Sequence, residues 1–104
     1  MLEMRTGSIT FPRDKGSGPR SGTTDVTFSG PVSSPAAVLT GADYGFSQED
    51  GDHHLGQVNM KVDAAASAGS SDVRVTAMLG VRDWTGDWDD DYEGTIYFAV
   101  LGEV

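Results

Sequence analysis

One segment concentrates the side chains that could bind something: Asp83-Trp84-Thr85-Gly86-Asp87-Trp88-Asp89-Asp90-Asp91-Tyr92-Glu93. Both tryptophans of the chain lie in it. Flat aromatic faces stack on the C–H faces of sugar rings, and adjacent carboxylates accept paired hydrogen bonds from vicinal hydroxyls. Trp84, Asp87, Trp88, Asp89 and Tyr92 are therefore the candidate carbohydrate contacts. The competing reading packs Trp84 on the rim of a fold and leaves the acids as a solvated surface.

Asp87, Asp89 and Asp91 also have the first-half spacing of a calcium loop. The pattern then fails, because Tyr92 stands where the turn glycine belongs and Phe98 where a bidentate acid belongs. That excludes an EF-hand and leaves an irregular calcium or sodium site as the only metal reading; a solvated acidic loop competes with it. Glu49-Asp50-Gly51-Asp52-His53-His54 offers more acids and both imidazoles of the chain. Adjacent residues of an extended segment point to opposite sides, so His53 and His54 are poorly placed to share one metal. The segment reads as a polar loop.

No catalytic set emerges. There is no Cys to serve as a nucleophile, no G-x-S-x-G elbow, and no Gly-Lys-Ser/Thr ending to the Gly-rich stretch 13–23. A carboxylate pair proves nothing in so acidic a chain. The expectation is a non-enzymatic protein without a required cofactor.

The elements that must position these residues are strands. Short alternating runs recur between Gly, Pro, Ser and Asp, at roughly 8–12, 24–29, 36–42, 57–66, 72–83 and 94–101. In Val58 to Ala64 the apolar residues take the even positions. In Val73 to Val81 they take the odd ones, with Met78 as an extra on the other side. Period two over this length marks half-buried antiparallel strands. Six such strands and no helix predict an all-β, antiparallel sandwich. Residues 1–23 read as a short strand plus a Gly-rich arm, and 24–104 as the sandwich, within one domain overall.

The last strand, Thr95 to Leu101, is apolar on both faces. If Ile96, Phe98 and Val100 face the core, Tyr97, Ala99 and Leu101 face something else. The chain has 104 residues, and Leu, Ile, Val and Phe number only 21. A chain of this length buries roughly 65% of its unfolded surface. That composition predicts a subunit interface on Tyr97, Ala99 and Leu101, in a homo-oligomer.

The formal charge is −9, from 16 acids and 7 bases. This excludes phosphate backbones and anionic membrane surfaces as partners. No stretch is long and apolar enough to insert in a membrane as a helix. Residues 1–8 lack the apolar run of a secretory signal. Twelve of the acids are Asp and only two bases are Lys, a bias that suits a halophilic, high-salt setting and that GC-rich coding produces as well.

The string Val26-x-Phe28-x-x-Pro31-x-x-x-Pro35-x-x-Val38 resembles the H-type lectins, agglutinins of snails and slime moulds with bacterial relatives. Gly7-Ser8-Ile9-Thr10-Phe11 is similar to that family's opening strand, and Phe98-x-Val100-x-Gly102 to its closing one. The resemblance implies a six-stranded antiparallel sandwich, assembly as a trimer or a multiple of three, and N-acetylgalactosamine-type sugars bound between protomers. The chain departs from the family where Trp84 is followed by Thr85 rather than His. Lys61 and Asp63 stand nearest the family's ligand Arg, and the disulfide is absent.

Such modules recur on virus particles. The expected function is a virion surface, decoration or tail protein of a phage or haloarchaeal virus, attaching to host glycans alongside other virion proteins. The alternatives are a free lectin, secreted without a signal peptide, and a metal-stabilised scaffold.

Overall fold

A computed structural model describes residues 1–14, 18–46, 55–83 and 91–104. It contains six strands among them: β1 (Leu2–Asp14), β2 (Arg20–Thr27), β3 (Ser33–Phe46), β4 (Leu55–Ala65), β5 (Asp72–Asp83) and β6 (Tyr92–Glu103). They form two three-stranded antiparallel sheets, ordered β1-β6-β3 and β2-β5-β4. The sheets stack as a sandwich measuring 49 × 19 × 18 Å.

The core follows from alternation. Val73, Val75, Ala77, Leu79 and Val81 of β5 are buried, facing Ile96, Phe98 and Val100 of β6. Both are the middle strands of their sheets, so each is shielded on either side by neighbours. Each large side chain fully buried there contributes about 1.5–3 kcal/mol relative to exposure. Val26, Met60, Val62 and Ala64 pack against this cluster from the edge strands.

Two sequence expectations are corrected here. The first concerns the opening strand, which spans Leu2–Asp14 rather than a short run at 8–12. The ladder with β6 starts at Leu2↔Glu103 and runs without interruption to Phe11↔Gly94. The strand continues past Pro12 because β1 lies at a sheet edge, where a missing N–H is tolerated. β2 likewise begins at Arg20. Gly22 faces inward so closely that a Cβ there would stand 2.9 Å from Ile9. The second correction concerns residues 43–46, which lie beyond the strand expected at 36–42. Asp43 to Phe46 continue β3, paired with Thr95 to Tyr92.

Connections divide between two poles. Residues 28–32 and 66–71 turn at the pole where Met1 meets Val104. The chain leaves described structure at Asp14, Phe46 and Asp83, and returns at Gly18, Leu55 and Asp91, all at the opposite pole.

Candidate functional site

The two outer faces of the sandwich differ in chemistry. On the β1-β6-β3 sheet, register places Met4, Leu101 and Ala36 in one row. Thr6, Ala99 and Val38 form the next row, and Ser8, Tyr97 and Gly41 the one after. Leu2 lies beyond Met4. Leu2 is 62% exposed, Met4 57%, Val38 48% and Tyr97 40%. None of these three rows contains a charge. The β2-β5-β4 sheet shows instead an Asp25–Arg74 ion pair at 3.5 Å, Lys61, Asp63, and Arg82 hydrogen-bonded to Gln57. An uncharged apolar stripe on a −9 protein is the kind of surface that covers itself in an assembly.

Tyr97 and Leu101 both open onto this face, as their parity required. Ala99 is on the same face but only 7% exposed, because its methyl group sits below its larger neighbours. Leu2, Met4, Ala36 and Val38 were missed by sequence reasoning. The signal was present in Leu2-x-Met4, where the apolar residues alternate with the charged Glu3 and Arg5.

Trp84, Asp87, Trp88 and Asp89 lie outside the described residues, as do His53 and His54. Tyr92 is described, and its side chain is buried rather than open to a ligand from outside. Its ring has no exposed surface. Its hydroxyl lies 2.8 Å from the Gly18 carbonyl and 3.3 Å from that of Leu79. The strand parity that buries Ile96 and Phe98 buries Tyr92 too. Asp91 is 9% exposed, with the Arg13 guanidinium 3.6 Å from its carboxylate. A cation at Asp91 would have to compete with Arg13. No group of three potential metal ligands occurs among the described residues.

No protein-family model matches the chain, and no curated protein or solved structure is significantly similar to it. The site must therefore be read from its own geometry.

Two hollows complete the surface. One, of 440 Å³, lies beside Asp25, Ser70, Asp72 and Arg74. Its charges are already engaged: Asp25 with Arg74, and Asp72 with the Thr27 hydroxyl at 2.6 Å. The other, of 310 Å³, opens where the β1-β6-β3 sheet approaches the loop pole. Its walls include Pro12, Asp43, Tyr44, Phe46 and Glu93. The Tyr97 hydroxyl donates to Asp43 Oδ2 at 3.3 Å.

Proposed function

We propose that this chain is a non-enzymatic, self-associating module with an H-type-lectin-like fold, acting as a surface or tail component of a virion that attaches to host glycans. The observation that carries it is the run of three uncharged rows, Met4-Leu101-Ala36 to Ser8-Tyr97-Gly41, on the outer face of the β1-β6-β3 sheet. A second copy is its best occupant. Two chains of charge −9 repel one another almost everywhere, and this face lets them meet without apposing carboxylates. The resemblance to H-type lectins favours a trimer or a multiple of three.

The division of the sandwich into poles supports display. The ladder between β1 and β6 ends at the chain termini, while Asp14, Phe46 and Asp83 lie at the far end. Trp84, Asp87, Trp88 and Asp89, which follow Asp83 in sequence, remain the proposed glycan contacts.

Sedimentation velocity tests the association. The expected result is an oligomer at micromolar concentration that Leu101→Asp and Met4→Asp convert to folded monomer. A wild-type monomer, or an unchanged sedimentation coefficient in both variants, would refute it. A glycan array tests the ligand: binding lost in Trp88→Ala with assembly intact supports attachment, and no glycan bound at any salt concentration removes it.

A further inference from the structure

We infer that the free edge of β1, from Thr6 to Thr10, pairs antiparallel with the same segment of a second copy of this chain, about a two-fold axis at Ser8. The inference rests on the self-association proposed above, since so short a ladder does not hold two monomers together by itself.

β1 is an outer strand, with β6 on one side and no strand on the other. The direction of its backbone groups follows from the bonds at its start. Met1 and Val104 exchange both backbone bonds, the Val104 amide to the Met1 carbonyl and the Met1 amine to the Val104 carbonyl. An antiparallel ladder alternates such pairs with pairs whose groups point away. The register is unbroken from Leu2 to Phe11, so the odd residues turn their amides and carbonyls to β6 and the even residues turn theirs to the open side. Arg5 donates to the Met4 carbonyl at 3.0 Å and Arg20 to the Pro12 carbonyl at 2.6 Å, both at even positions.

Those two contacts bound the open stretch. At Met4 the outward carbonyl is taken; at Pro12 the carbonyl is taken and proline has no amide hydrogen. Between them, Thr6, Ser8 and Thr10 present amides and carbonyls that no described residue meets. Met4 and Pro12 lie equally far from Ser8 in the sequence. A window closed symmetrically about one residue is complementary to itself. Setting Ser8 against the partner's Ser8 puts Thr6 against the partner's Thr10, and every outward amide and carbonyl between the two closures is paired. The closed positions then meet each other, Met4 against the partner's Pro12.

The other outer strands are guarded. β3 carries Pro35 and two register shifts, β4 a register shift and Lys61, and β2 Asp25. Residues 6–11 carry no charge, so two acidic chains meet there without apposed carboxylates. The side chains of Thr6, Ser8 and Thr10 are small and exposed on the outer face. The pairing also widens the uncharged rows, because the row of Ser8 and Tyr97 runs on into the partner's Ser8.

The chain has no Cys, so single cysteines report the register. Under mild oxidation of the oligomer, Ser8→Cys should cross-link to itself, because paired Cα atoms in such a ladder stand about 5.5 Å apart, within disulfide reach. Thr6→Cys alone should not, since its counterpart lies roughly 13 Å away along the strand. Thr6→Cys mixed and reassembled with Thr10→Cys should. Thr23→Cys, exposed on the β2 edge, is the control and should not cross-link. Hydrogen exchange on the unmodified protein gives an independent reading. The Thr6, Ser8 and Thr10 amides should exchange about tenfold or more slowly in the oligomer than in the Leu101→Asp monomer. Equal exchange in the two, or cross-linking of Thr6→Cys alone or Thr23→Cys as complete as that of Ser8→Cys, overturns the edge pairing and leaves the outer-face association standing. A wild-type monomer overturns both.

Discussion

The guanidinium of Arg20 lies 4.5 Å from the centre of the Tyr92 ring and donates to the Tyr92 carbonyl at 2.8 Å. It also donates to the Pro12 carbonyl at 2.6 Å. Arg20 belongs to β2 and Tyr92 to β6, so one side chain ties the two sheets together at the loop pole. Arg5 does the reciprocal job at the other pole, from β1. Its guanidinium lies 5.0 Å from the Phe28 ring centre, and its Nε donates to the Thr27 carbonyl at 3.0 Å.

Removing this tie leaves the part-buried Tyr92 carbonyl and the exposed Pro12 carbonyl without their donor. Arg20→Met should therefore lower stability by about 2–3 kcal/mol, measured by urea denaturation. Arg20→Lys should not restore it, because an ammonium lacks the planar fork that stacks on Tyr92 while reaching both carbonyls. Full stability in the lysine variant would refute the account.

Tyr92→Phe separates the core role of the ring from that of the hydroxyl. The ring stays buried while the bonds toward Gly18 and Leu79 are lost. A loss of about 1–2 kcal/mol is expected. Any glycan binding should be unchanged, since the hydroxyl points inward. A selective loss of binding at normal stability would return Tyr92 to the ligand site.

Salt tests the self-association. Raising NaCl from 0.1 to 1 M shortens the screening length from about 10 Å to about 3 Å. Association across the three uncharged rows should tighten as repulsion between acidic copies is screened. Sedimentation equilibrium at both salt concentrations checks it, and weaker association at high salt would refute an apolar contact.

Glu3 sets an acid-side limit. Its carboxylate accepts the Ser29 hydroxyl at 2.6 Å and the Ser29 amide at 3.1 Å. These bonds, with the nearby Arg5 charge, hold its pKa below the ordinary value of 4.5. A depressed folded-state pKa gives stability that is complete above the unfolded value and lost as pH falls through the folded one. The unfolding midpoint should therefore decline below about pH 4.5, and Glu3→Gln should flatten that part of the decline. Parallel acid profiles for the two proteins would remove Glu3 from the explanation.

Glycine positions give a paired packing test. Gly94→Ala forces a Cβ onto the Asp43 carbonyl and should cost roughly 2 kcal/mol or more. Gly45→Ala meets open space and should be within about 0.5 kcal/mol of wild type. Thermal melts of the two variants suffice.

Strand parity was legible wherever apolar residues face the core. The odd positions of Val73 to Val81 and the even positions of Val58 to Ala64 read correctly because alternation there reports burial directly. The first half of β1 did not read so, because its pattern is reversed. Glu3 and Arg5 turn inward to cap the open end of the sandwich, while Leu2 and Met4 turn outward. Alternation identifies two faces but not which one meets the core. Asp43 and Tyr44 fell outside the expected strand for another reason: between Gly41 and Gly45 they carry no clear alternation, and only pairing with β6 makes them a strand.

Met1 and Val104 are joined just beyond the end of the ladder, with the Val104 amide donating to the Met1 carbonyl at 2.9 Å and the Met1 amine to the Val104 carbonyl at 2.8 Å. Any polypeptide fused to either end therefore departs from one tip of a rod, leaving the other tip unobstructed. A reporter, tether or second module grafted there would hold the sandwich upright like a peg in a board, and a short linker joining the two ends would allow new ends to be cut elsewhere without redrawing the sheets.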